Sequence, residues 1–183
     1  MRKIDVKKIR FEVAKLALEA NLVLRGDIVR AIRKAYLAEK NQRAKKILKI
    51  LLSNAAIARN EKIAICQDTG MAVVFIEIGQ GVCFTGGDLS KAVNDGIREG
   101  YKKGYLRKSV VDDPFLRVNT KDNTPAVIHE EIVPGNKVRI TVLPKGFGSE
   151  NKTAVKMFNP TQGADEVGSF IVESVRIAGA DAC

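Results

Sequence analysis

The apolar pattern of this 183-residue chain changes period once, just after Asn60, and that change limits the folds open to it. Before it, apolar residues recur at three- and four-residue steps, the repeat of one helix face. Ile9, Val13, Leu16, Ala17, Ala20 and Leu24 mark a first helix, which Gly26 and Asp27 break. A second helix is expected from about Ile28 to Ala38. A third follows from about Gln42 to Ala58, with Ile47, Leu48, Leu51 and Leu52 inward. After the change, short runs rich in β-branched and aromatic residues read as strands: "KIAI" at 62–65, "MAVVFIEIG" at 71–79 and "VCF" at 82–84. A small helical layer must bury its apolar stripe on something, so the expected fold class is α+β: an N-terminal helical layer packed on a mixed β-sheet region with flanking helices.

Further along, Gly86, Gly87 and Asp88 open a helix over about Ser90 to Lys103. "KGYLRKSVVDDP" reads as an extended loop, because Pro114 and the residue before it both resist helix. "AVIHEEI" and "KVRITVL", joined by "VPGN", are expected to form a β-hairpin. "PKGFGSENKT" follows as a Gly-rich loop, and a last helix is expected to end at Ala178 and Gly179. The length suits one domain over 1–183, with 1–62 as the helical layer and 63–183 carrying the strands and the polar loops. Its ending on "AGADAC" is expected to mark a domain incomplete at the C-terminus.

The net charge of +10 invites a nucleic-acid reading, and its location bears on that reading. Residues 1–62 hold 17 Lys/Arg against 6 Asp/Glu, whereas residues 63–183 hold 14 against 15. The excess therefore lies in the helices, where Lys7, Lys8, Lys15, Arg30, Arg33, Lys34, Lys45, Lys46 and Lys49 alternate with apolar residues at helical spacing. That is the pattern of a solvated or subunit-contacting helix face. A basic nucleic-acid-binding module is the alternative from another class, and it predicts salt-sensitive association that persists without Cys66. No apolar run approaches the roughly 20 residues of a membrane span, and the basic start lacks a signal peptide's apolar stretch. A cytoplasmic protein with no membrane partner is expected. Cys66, Cys83 and Cys183 form no disulfide framework, and a single histidine, His129, makes a four-ligand zinc site implausible.

Three polar loops stand out: "CQDTG" at 66–70, "YLRKS" at 105–109 and "KGFGSENKT" at 145–153. Gln67, Asp68 and Thr69 are costly to bury without partners, so Cys66 is expected to be accessible, as a thiolate ligand or nucleophile must be. Cys83 lies between Val82 and Phe84 in an expected strand and reads as structural. His129, also in an expected strand, gives Cys66 no evident base. The glycines of the third loop permit a close backbone approach, and their N–H groups can form an anion nest. Arg107 offers a planar fork suited to a carboxylate. From the residues alone, this is a site for a small anion near a reactive or metal-binding cysteine.

"AICQDTGMAVVFIEIG", "YLRKSVVDDP", "TPAVIHEEIVPGNKVRITVLPKGFGSENKT" and "RIAGADAC" together resemble the α-type catalytic region of the iron-sulfur hydro-lyases, class I fumarate hydratase and L(+)-tartrate dehydratase. The resemblance implies reversible hydration of fumarate to (S)-malate, with conversion of tartrate to oxaloacetate as the alternative. It implies a 4Fe-4S cluster held by three cysteines, with one iron left open to the substrate. Cys66 is the implied first ligand and Cys183 the second; the third belongs to a segment beyond this chain, and the family does not use the position of Cys83. Gln67 and Asp68 are implied to line the pocket, with Asp68 moving a proton on the hydroxyl side. Arg107 is implied to grip a substrate carboxylate, and Gly148, with Gly146 beside it, to supply a backbone contact. The carbon-side base is implied to come from a β-type subunit, so the implied assembly is a homo-oligomer of an α/β pair acting on a small dicarboxylate.

Overall fold

Helices and strands alternate much as the period change places them, and the fold is α+β; the computed structural model describes residues 1–179, the side chain of Ser149 apart. Two compact units are present, Met1–Lys145 and Gly146–Cys183.

The first unit begins with a strand the sequence did not suggest, β1 (Arg2–Asp5), which pairs in parallel with β3 (Val82–Thr85). It runs directly into α1 (Val6–Leu22), whose N-cap Asp5 accepts a hydrogen bond from the Lys7 amide at 2.8 Å. α2 (Gly26–Ala38) and α3 (Gln42–Glu61) pack on each other, and Asn41 caps α3 by accepting from the amides of Arg43 and Ala44. The longest strand, β2 (Met71–Gly79), precedes β3, and α4 (Leu89–Lys103) starts at Asp88, which accepts from the Lys91 amide at 2.6 Å.

β4 (Val127–Val133) and β5 (Val138–Lys145) do not form the expected hairpin. Both pair with β2, β4 in parallel and β5 antiparallel, so the order is β4-β2-β5. β2 carries Ala72, Val74 and Ile76 on one face, all buried, and takes the centre, where both of its edges are paired. The turn that follows it replaces the hairpin contacts: the amides of Gly79, Gln80 and Gly81 donate to the carbonyls of Lys137, Val133 and Gly135 at 2.8, 2.9 and 2.8 Å. A Cβ on Gly79 would stand 2.7 Å from the Gly135 carbonyl oxygen.

The core lies between this sheet and the α1/α4 pair. It comprises Ile9, Val13 and Ala17 of α1, Ala72, Val74 and Ile76 of β2, Val93, Ile97 and Tyr101 of α4, and Leu106. Each fully buried Val or Ile contributes about 1.5–3 kcal/mol of transfer free energy. α1 and α4 approach closely because Gly96 faces Arg10 and Val13 and Gly100 faces Ala14 and Ala17; a Cβ at Gly96 would lie 2.6 Å from the Arg10 carbonyl oxygen.

Two other expectations are corrected here. "KIAI" is not a strand: Lys62 is the left-handed C-cap of α3 at φ 57°, and the Ile65 backbone is claimed by helices, its amide donating to Asn21 O and its carbonyl accepting from Asn54 Nδ2. Of the third helix's inward set, Leu48 and Leu52 are half-buried, but Ile47 and Leu51 are 53% and 46% exposed. α3 turns Ala55 and Ala58 inward instead, and it packs on α2 and, less extensively, on α1. The basic residues of α1–α3 are exposed, apart from the half-buried Lys45, whose Nζ lies 5.3 Å from the Tyr36 ring centroid.

In the second unit, a 3-10 turn (Gly148–Lys152) occupies much of the expected Gly-rich loop, and α5 (Ala164–Ala178) ends at Gly179, as its sequence suggests. The Glu166 carboxylate accepts the Gly163 amide at 2.9 Å, and Phe158 meets Phe170 edge-on with centroids 5.7 Å apart.

Candidate active site

β2 presents Ala72, Val74 and Ile76 to the core, so the "CQDTG" loop that leads into it sits at one end of that core. The loop is clamped at both ends. Upstream, Ile65 is held by Asn21 of α1 and Asn54 of α3. Downstream, Thr69 and Gly70 are buried, and their carbonyls are taken by two side chains. The Tyr101 hydroxyl donates to Thr69 O at 2.7 Å and lies 3.3 Å from Gly70 O, while Asn123 Nδ2 donates to Gly70 O at 3.0 Å.

Between the clamps, Cys66 and Gln67 are exposed and Asp68 is half-buried. The Asp68 amide donates to Cys66 Sγ at 3.4 Å, and Asp68 Oδ1 accepts from the Gly70 amide at 3.0 Å. Polar side chains next to the cysteine thus turn the loop and leave its thiol exposed, outside any disulfide.

The second expected loop lies against the first. Thr69 Oγ1 donates to the Arg107 carbonyl at 2.8 Å, and Asn123 Oδ1 accepts from the amides of Ser109 and Val110 at 2.8 and 3.2 Å. Arg107 is exposed at the surface of this cluster. The Ser109 hydroxyl is buried without a partner among the described residues. Burial, opposed by the Asn21 side chain and aided by the charge of Asp68, pushes the Tyr101 phenol up to about 12, so it stays a neutral donor over the whole working range of pH.

Cys66, Gln67, Asp68 and the Arg107 loop therefore come together within the first unit. Lys145, at the end of β5, stands opposite Met71, the residue after the loop. Gly146 and Gly148 belong to the second unit, where both are half-buried and Gly148 opens the 3-10 turn. Cys183 lies outside the described residues. Cys83 is a residue of β3 whose Sγ donates to the Phe84 carbonyl at 3.7 Å, and His129 is an exposed residue of β4 stacked on Phe75 at 4.9 Å. Among the described residues, no three His, Cys, Asp or Glu side chains lie close enough together to hold a metal ion. No helix among them is long and apolar enough to cross a membrane.

Tyr101 and Asn123, which clamp the buried Thr69 and Gly70, were not singled out from sequence. Tyr101 follows Val93 and Ile97 at four-residue steps on the buried face of α4, and a buried tyrosine needs an acceptor for its hydroxyl. Asn123 sits in "KDNTP", which reads only as a polar turn.

The fold thus brings together an exposed cysteine, an amide and a carboxylate in one loop and ties that loop to the one bearing Arg107. The chain belongs to the family described as Fumarate hydratase (Fumerase), whose model matches residues 11–183. It is 34% identical to the "Putative L(+)-tartrate dehydratase subunit alpha" of Methanocaldococcus jannaschii over 96% of this chain and 64% of that subunit. It is 36% identical to fumarate hydratase 2 of Leishmania major over 73% of this chain and 24% of that enzyme. The L(+)-tartrate dehydratase subunit alpha of Escherichia coli strain UTI89 is 26% identical over 97% of this chain and 59% of that subunit. The chain thus spans less than two thirds of the length of these relatives.

Proposed function

We propose that this chain is the α-type catalytic part of an iron-sulfur hydro-lyase that reversibly hydrates fumarate to (S)-malate, together with a β-type subunit. One observation carries the reading. The loop bearing Cys66, Gln67 and Asp68 and the loop bearing Arg107 are joined by the Thr69 hydrogen bond and by Asn123. Family membership and the subunit-alpha names of two relatives support it.

The donor set accords with a 4Fe-4S cluster as far as it is described: Cys66 is an exposed thiol with a backbone amide on its sulfur. Cys66 and Cys183 would be two of its ligands, with the third supplied from outside this sequence. When bound, such a cluster supplies a Lewis-acidic iron that activates the hydroxyl being added or removed. Arg107 binds a substrate carboxylate, its fork matching both oxygens. Gln67 orients the substrate through its amide, which can both donate and accept. Asp68 holds and returns the proton on the hydroxyl side, and the Gly146 and Gly148 amides favour charge that develops as the neighbouring carbon loses its proton. The base at that carbon comes from the β-type partner. Tyr101, neutral throughout, keeps the loop in place.

L(+)-tartrate is the second reading, favoured by one observation: the two tartrate dehydratase relatives match 96% and 97% of this chain, the Leishmania fumarate hydratase 73%. Steady-state assays of the complete α-type subunit with its β-type partner, reconstituted anaerobically, separate the two. A higher kcat/KM on fumarate and malate is expected, and a preference for tartrate overturns that choice. Cys66→Ala is expected to lose iron and more than about 100-fold in activity, since even indirect support of a metal ligand is worth 10–100-fold. Unchanged turnover in that variant would sink the hydro-lyase reading.

A further inference from the structure

Asn123 lies outside all three loops in which chemistry was expected, yet its side chain joins two of them. It is fully buried. Its oxygen accepts from the amides of Ser109 and Val110, and its nitrogen donates to the Gly70 carbonyl, 53 residues away in sequence. Both lone pairs of Oδ1 are thereby used on one loop and a donor of Nδ2 on the other. The backbone at this position has φ 63°, a left-handed conformation that asparagine tolerates better than most residues. A carboxylate of the same shape would keep the two acceptances and lose the donation; an apolar side chain would leave the Ser109 and Val110 amides without their acceptor and the Gly70 carbonyl with only the Tyr101 hydroxyl at 3.3 Å.

The second link between the same loops is the Thr69 hydroxyl on the Arg107 carbonyl. Tyr101, by contrast, ties the "CQDTG" loop to helix α4. Two links at different points fix both the separation and the relative orientation of the loops. We propose that Asn123 is a positioning residue that sets Arg107 relative to Asp68 and Cys66, acting through the backbone of both loops without touching the substrate. This deepens the hydro-lyase reading and rests on it. A misplacement of about 1 Å between groups that act on one substrate can cost about 100-fold in rate.

The test uses the complete α-type subunit with its β-type partner, loaded anaerobically with iron and sulfide. Asn123→Asp is expected to retain the wild-type iron and sulfide content and to lose about 100-fold in kcat/KM. Because Asn123 acts through the loop that carries Arg107, its loss should be largely absent in an Arg107→Lys background, and losses that simply multiply would overturn the proposal. So would a cluster-loaded Asn123→Asp variant with kcat/KM within about twofold of wild type. Failure of both Asn123→Asp and Asn123→Ala to fold or to take up iron also overturns it, by making Asn123 a folding residue. If the wild-type complex neither hydrates fumarate nor dehydrates tartrate, the hydro-lyase reading falls separately. Amide hydrogen exchange then decides the coupling: Asn123→Asp should speed exchange at residues 67–70 as well as at Ser109 and Val110, and a change confined to 109 and 110 would refute it.

Discussion

Helices α1 and α3 carry similar apolar periodicity, but they bury it very differently. α1 inserts Ile9, Val13 and Ala17 between the sheet and α4, and the glycines of α4 let the two helices close to backbone contact. α3 buries only Ala55 and Ala58, and leaves Ile47, Ile50, Leu51 and Ile57 at least 46% exposed. The difference shows that period alone identifies a helix, whereas the depth of its burial depends on whether small residues on a neighbour permit close approach. It also divides the unit into a tightly packed half, which holds the site loops, and a looser half that carries most of the unit's net positive charge.

The contrast can be broken most strongly at Ile97, which is fully buried on α4. Ile97→Ala is expected to lower stability by about 2–5 kcal/mol in urea unfolding, because the cavity forms where neither helix can move in. A loss below about 1 kcal/mol would mean that the α1/α4 half is no better packed than α2/α3.

A smaller effect is expected at Asp122, which α4 holds through Arg98 at 2.7 Å. Burial alone would raise its pKa, but hydrogen bonds from Thr124 and Arg98 outweigh that and bring the carboxyl down to about 2 from an ordinary 3.8. A depressed carboxylate stabilises fully above its unfolded pKa and loses that contribution as pH falls through the folded value. Thermal unfolding of the wild type should therefore weaken between pH 3.8 and about 2, and Asp122→Asn should remove this limb at a cost of about 1–2 kcal/mol near neutrality. An unaltered acid limb in the variant would assign it to other carboxylates.

The smallest effect is expected on the looser half. Ile50→Asn, on the exposed face of α3, should change stability by no more than about 0.5 kcal/mol. A larger loss would show that this face is covered in the folded protein.

Much of this organisation is legible in the sequence because it is local. The five helices follow from spacing and caps, and β2 from its β-branched run. The "CQDTG" loop is conspicuous because four chemically active side chains precede an apolar strand. The strand order is not legible: nothing within "AVIHEEIVPGNKVRITVL" says that β2 will insert between its two halves, since that pairing spans more than 50 residues. Asn123 was missed for the same reason, its partners lying 13, 14 and 53 positions away. "KIAI" was misread because its three β-branched or small residues look like a strand until Asn21 and Asn54 take its last backbone groups.

The short span between Ile65 and Thr69 resembles a bridge deck hung from two fixed piers. Because the supports are supplied by residues elsewhere in the fold, the exposed side chain at 67 can be exchanged at little thermodynamic cost. A lineage could therefore retune what the site recognises without first repairing its scaffold, and a protein engineer could start at the same position.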